Sequence, residues 1–159
     1  MKHVLRWIAV ALFVVCGTAM LQAQDNPLVG TWKLNVEKSK FDPGPAPKSL
    51  TRKVESQGNG VKYSFDGVSA DGKPIAYGFS VMFDGKDSPV EGSMPYGADM
   101  ISAKRTDPNH YVATLKKGGK VIGTAKVSVS KDGKTTTVDA AGTNSDGKKG
   151  HDVQVWDKQ

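Results

Sequence analysis

Seven two-residue signals punctuate the chain: Asn59-Gly60, Asp66-Gly67, Asp71-Gly72, Asp84-Gly85, Gly118-Gly119, Asp132-Gly133 and Asp146-Gly147. Asx-Gly and Gly-Gly pairs supply the positive φ angles that tight hairpins require, so a chain this dense in them must reverse direction again and again. Between the signals, apolar residues recur at every second position. Trp32, Leu34 and Val36 share one face, as do Val61, Tyr63 and Phe65; the longest stripe is Ile75, Tyr77, Phe79, Val81 and Phe83. Tyr111, Ala113 and Leu115 repeat the pattern, followed by Val121 to Val129, then Thr136, Val138 and Ala140, and lastly Val153 and Val155. A period of two is the strand signal, and no window sustains the three-and-four spacing of a helix.

The pattern predicts strands over residues 30–36, 50–57, 60–66, 73–83, 98–106, 110–117, 120–130, 134–141 and 150–157, with a weaker one at 88–92. The tripeptide Asp-Gly-Lys occurs at 71, 84, 132 and 146. That spacing is irregular, so it reads as recurrent turn chemistry and not as a structural repeat. Two stretches break the pattern: FDPGPAPKS (41–49), a stiff proline-rich connection, and SMPYGAD (93–99), a loop.

The fold class follows from how little there is to bury. In residues 24–159, Leu, Ile, Val and Phe number 25 of 136, a thin supply even for a folded domain. One curved sheet suits that supply better than several layers, and a lone sheet has two edges to protect. Closure removes both. The expectation is an all-β chain, an antiparallel up-and-down meander closed into an eight- to ten-stranded barrel.

Residues 1–23 read as a signal peptide: Lys2 and Arg6, an apolar run from Ile8 to Val15 that is too short to span a bilayer, then small residues ending at Ala23. Cleavage after Ala23 would leave 24–159 as a single barrel domain without a stable membrane anchor; Ala19 marks a competing site. The only cysteine, Cys16, lies within the run, and Val14 and Val15 before it are not the small residues that lipidation requires. Lys and Arg number 22 against 16 Asp and Glu; with Lys2 and Arg6 removed the balance is 20 against 16, or +4. The excess is spread along the chain with no run of five like charges, which together with export argues against nucleic acid.

The stretch GTWKLNVEKSKF (30–41), with Gly30 and Trp32 opening the first strand, resembles the start of the calycin superfamily, which includes lipocalins, fatty-acid-binding proteins and avidins. With PGPAPKS behind it, the stretch also resembles small exported bacterial lipocalin-like proteins of unassigned function. The resemblance implies a periplasmic or extracellular lipocalin-like barrel. Trp32 would seal one end under a cation, for which Arg52, Arg105 and Lys158 are candidates. A cavity for a small hydrophobic ligand would open at the other end, although aliphatic residues are few and a small barrel can also be filled by its own side chains.

Catalytic chemistry finds no footing. His110 and His151 have no ligand-like partners at i+2 or i+4, there is no Gly-x-Ser-x-Gly motif, and the aspartates are absorbed by turns. No catalytic residue, metal or cofactor is assigned. Tyr63, Tyr77, Phe79 and Tyr111, as inward aromatics on neighbouring strands, are the candidate ligand-binding residues, with core filler as their other reading. A second functional class is an envelope protein touching anionic surface through the hairpins at Lys116 to Lys120, Lys131 to Lys134 and Lys148 to Lys149. A barrel-type isomerase or hydrolase is third.

Overall fold

The computed structural model describes residues 26–144 and 146–159, so the signal-like segment 1–23 lies outside the described residues. Ten strands follow in order: β1 (Gly30–Asp42), β2 (Ser49–Gln57), β3 (Gly60–Val68), β4 (Pro74–Val81), β5 (Ser88–Gly92), β6 (Met100–Asp107), β7 (His110–Lys117), β8 (Lys120–Val129), β9 (Thr135–Thr143) and β10 (Lys149–Lys158). Each pairs antiparallel with its sequence neighbours, and β1 pairs with β10, which closes the barrel. The meander and its closure are as the alternation and the edge argument predict. The weak strand at 88–92 is β5.

Several local expectations are corrected. Asp66-Gly67 is not a turn; it lies within β3, where Gly67 pairs with Leu50 on one side and Ile75 on the other. A Cβ at Gly67 would stand 2.2 Å from the Ser49 carbonyl oxygen, so the site needs a missing side chain and not a positive φ. At the β2–β3 hairpin the left-handed residue is Gly58 and not Asn59. β4 stops at Val81, because Phe83 itself takes a positive φ of 58° and leaves the strand direction.

β1 runs six residues past its predicted end, so Phe41 and Asp42 are strand and only 43–48 form the connection. The extension was hidden by a bulge: between Asn35↔Val155 and Lys40↔Val153 the register slips. Ser39 fills the gap. Its Oγ accepts from the Val155 backbone N–H at 2.9 Å and donates to the Asn35 carbonyl at 2.6 Å, which replaces ladder bonds the bulge removes. Lys38 and Lys40 beside it are exposed.

The phase of β10 is also corrected. Its buried side chain is Trp156, 1% exposed, so Asp152, Gln154 and Trp156 face inward and Val153 and Val155 outward. A shift of one residue flips every side chain of a strand, and here two polar residues on the inner face mislead the pattern.

Three of the four Asp-Gly-Lys sites are hairpin loops closed alike. In Ser69–Lys73, Ser130–Lys134 and Asn144–Lys148, the backbone carbonyl of the first residue accepts from the N–H of the glycine, and its side chain accepts a backbone N–H just beyond. The fourth, at Asp84, is different. It forms an isolated bridge to Lys104 between β4 and β5.

Candidate functional site

The strand directions assign the two ends of the barrel. One end gathers the 58–59 and 108–109 turns, the Ser130–Lys134 loop and the start of β1; the other gathers 43–48, Ser69–Lys73, 93–99, Gly118-Gly119 and Asn144–Lys148. The first end is closed by Trp32, which is 0% exposed. Its Nε1 donates to the Leu28 carbonyl at 2.8 Å, which ties a short N-terminal turn across the opening. Gly30 before it has a φ of 136°, a conformation open to glycine but strained for other residues, and a Cβ there would meet Lys158 Cε at 2.7 Å. The Gly-x-Trp motif is thus explained by one backbone conformation and one packing partner.

Two of the three candidate cations reach Trp32. Lys158 Nζ lies 5.2 Å from its ring centroid and donates to the Pro27 carbonyl at 3.3 Å. The Arg52 guanidinium carbon lies 5.1 Å from the Trp32 ring and 4.7 Å from that of Trp156. Arg105 is elsewhere, 4.3 Å over the Phe83 ring.

Above Arg52 the interior is not completely filled. A cavity of about 90 Å³ runs from Arg52, Trp156, Tyr63 and Tyr111 up to Met94, Pro95, Tyr96 and Asp152. This is far below the several hundred Å³ that a generous lipocalin pocket would show. All four aromatics singled out from the sequence line it: Tyr63 and Phe79 pack at 5.0 Å between centroids, and Tyr77 stacks on Phe65 at 4.3 Å. Phe65 shares the inward phase of Tyr63 and belongs with them; it also meets Trp156 edge-on at 5.9 Å.

Tyr63 and Tyr111, from β3 and β7, join hydroxyls across the barrel at 2.8 Å. The pair carries two protons and only one lies between the oxygens, so one O–H remains to donate. Burial raises the ionisation of Tyr63 well above its ordinary range and raises that of Tyr77 and Tyr111 as well. These phenols are therefore neutral donors at any physiological pH.

At the far end Tyr96 leans over the mouth. It sits in the short 3-10 turn Pro95–Gly97 with a φ of 62°, and its hydroxyl donates to Asp152 Oδ2 at 3.3 Å. Its ring rests where only glycines leave room: a Cβ at Gly142 would meet it at 3.3 Å, and one at Gly150 would meet its hydroxyl at 2.9 Å. Burial, then the Asp152 charge, pushes the Tyr96 phenol up to about 12. Burial likewise lifts the Asp152 carboxyl above its usual range.

The remaining candidates stay outside the cavity. His110 bonds Asp107 at 2.8 Å and His151 bonds Asp139 at 2.9 Å, and both pairs are exposed. Among the described residues no group of three His, Cys, Asp or Glu is placed to hold a metal ion.

No protein-family model and no curated sequence matches the chain. Solved structures do. Zebrafish ileal bile acid-binding protein complexed with cholic acid is similar at 12% identity with a TM-score of 0.52, covering 84% of this chain and 99% of its own. EF1p2_mFAP2b bound to DFHBI is similar at 13% identity with a TM-score of 0.51, covering 84% of this chain and 94% of its own. At such identities the likeness is one of fold, a closed antiparallel β-barrel.

Proposed function

We propose that this chain is an exported binding protein for a small, predominantly apolar ligand held inside the barrel and admitted at the Tyr96 end. One observation carries the reading: the cavity lined by Tyr63, Tyr77, Phe79 and Tyr111 lies inside the barrel, sealed at the Trp32 end and covered opposite by the short turn Pro95–Gly97. That both similar structures hold a bound ligand, DFHBI in one and cholic acid in the other, supports it. The proposal of export, to periplasm or extracellular space, rests on segment 1–23, and N-terminal sequencing of the natural protein should find Gln24 first.

Size limits the ligand. An engineered cavity of about 150 Å³ admits benzene, so about 90 Å³ holds only a few heavy atoms unless Met94 to Tyr96 swing aside. Burying roughly 150 Å² of apolar surface contributes at best about 4 kcal/mol, a Kd of about 1 mM. A tighter ligand must also meet the polar groups of the interior.

The envelope reading is not favoured by the placement of its hairpins. Lys116 to Lys120 and Lys148 to Lys149 stand at the mouth, whereas Lys131 to Lys134 stands at the sealed end, so they share no single face. The test is a thermal-shift and tryptophan-fluorescence screen of the 24–159 chain against small apolar compounds, with mass spectrometry of the natural protein for a co-purified molecule. At least one compound should raise the melting temperature and change the emission of Trp156. A screen without shifts and a protein without cargo would refute the reading.

A further inference from the structure

Lys158 alone supplies what barrel closure asks of a cation, since it comes from the last strand, covers Trp32 and is anchored to the Pro27 carbonyl. Arg52 is therefore surplus to closure. It comes from β2, where Leu50, Arg52 and Val54 share the inward phase, and it is only 2% exposed. Its Nε and Nη2 are buried with no hydrogen-bond partner, and none of the ion pairs among the described residues includes it.

A guanidinium cannot shed its charge to escape this situation. The faces of Trp32 and Trp156 stabilise the cation from two sides but accept none of its N–H bonds in its own plane. The groups acting on it electrostatically are Tyr63, Tyr111 and Tyr77, all neutral phenols. The same cavity floor holds the spare hydroxyl proton of the Tyr63–Tyr111 pair. Buried donors without acceptors are costly, and here they converge on one end of a cavity whose walls are aromatic and aliphatic apart from Gln154 and, at the mouth, Asp152.

We propose that the ligand is a small carboxylic acid bound head first, its carboxylate on the edge of Arg52 and the free O–H of the Tyr63–Tyr111 pair, its hydrocarbon part running past Phe79 toward Tyr96 and displacing Met94 to Tyr96 where it exceeds about three carbons. This inference rests on the binding function above and adds the ligand's chemical class and direction. A carboxylate supplies acceptor lone pairs in the planar arrangement a guanidinium fork matches, which an alcohol or amine does not.

The experiment compares matched ligands on the 24–159 chain by calorimetric titration at neutral pH: hexanoate, hexan-1-ol and hexylamine, with phenylacetate and 2-phenylethanol as a second series. Carboxylates should bind at least tenfold more tightly than the neutral partners, and Arg52→Met should remove that preference while leaving the weak binding of the alcohols. The wild-type comparison needs no variant to fold. For bound hexanoate labelled at the carboxyl carbon, NMR should show ionisation at lower pH than free hexanoate, the sign of a charged partner.

If alcohols and acids bind equally, with or without Arg52, the guanidinium is a structural cation only; the anion site is then refuted while the binding function stands. If chloride at equal concentration displaces hexanoate, the site takes any anion and the carboxylate assignment fails. If neither series binds, both the site and the binding function fall.

Discussion

At the residue scale, the interior is held by a few large side chains with opposite requirements. Trp32, Trp156 and Tyr63 are the largest of the fully buried side chains, while Arg52 beside them is a charge that a thin core can ill tolerate. Removing that charge in favour of an apolar side chain of similar length is often neutral or stabilising, because a buried, incompletely bonded ion costs several kcal/mol and two cation–π contacts of about 2 kcal/mol each return only part of it. Arg52→Met should leave the unfolding free energy unchanged or raise it by about 1 kcal/mol in urea titration. A loss above about 2 kcal/mol would show that Arg52 is there for the fold.

The tyrosines make a second residue-scale prediction. Tyr63, Tyr77 and Tyr111 ionise later in the folded protein than in the unfolded chain, chiefly through burial, and Tyr96 only at about 12. Above pH of about 10 the unfolded chain gives up phenol protons that the native barrel keeps, so stability must fall as pH rises past that point. Ultraviolet titration should show no phenolate in the folded protein at pH 10. Tyrosines that ionise there with the fold intact would contradict the packing described.

At the element scale, stability is uneven around the barrel. β1 and β10 are long and densely paired, whereas β5 meets β4 through three residue pairs and β6 through two. Hydrogen exchange should therefore find the strand amides of 88–92 the least protected. Protection equal to that of β10 would refute this. The bulge in β1 depends on one hydroxyl, and Ser39→Ala would leave the Val155 N–H and the Asn35 carbonyl short of a partner; a loss of about 1–2 kcal/mol is expected by chemical denaturation.

These elements also show what the sequence could and could not reveal. Period-two stripes announced nine strands and a weak tenth because a half-buried strand must alternate, and that constraint is local. Where the partner strand decides, the signal fails: the bulge that prolongs β1, the glycine inside β3 and the inverted phase of β10 all depend on cross-strand neighbours far along the chain. Arg52 was legible in a different sense. Its place between Leu50 and Val54 puts it on the inner face and makes it one of three candidate cations for Trp32, but only the structure shows that Lys158 also covers that ring and that one edge of Arg52 lacks a partner. Cavity size depends on the sum of all interior side chains, and no pattern carries that.

At the scale of the whole molecule, the barrel has a sealed end, a charged floor, aromatic walls and a mouth under Tyr96. This polarity makes the binding proposal directional, and direction can be seen. A crystal grown with 6-bromohexanoate locates both ends of the ligand at once, the bromine by its anomalous scattering and the carboxylate by its density. The account predicts a bromine peak beside Met94 and Tyr96 with the carboxylate on Arg52. A bromine peak at the Trp156 end, or an interior without ligand density at a concentration saturating in solution, would contradict it.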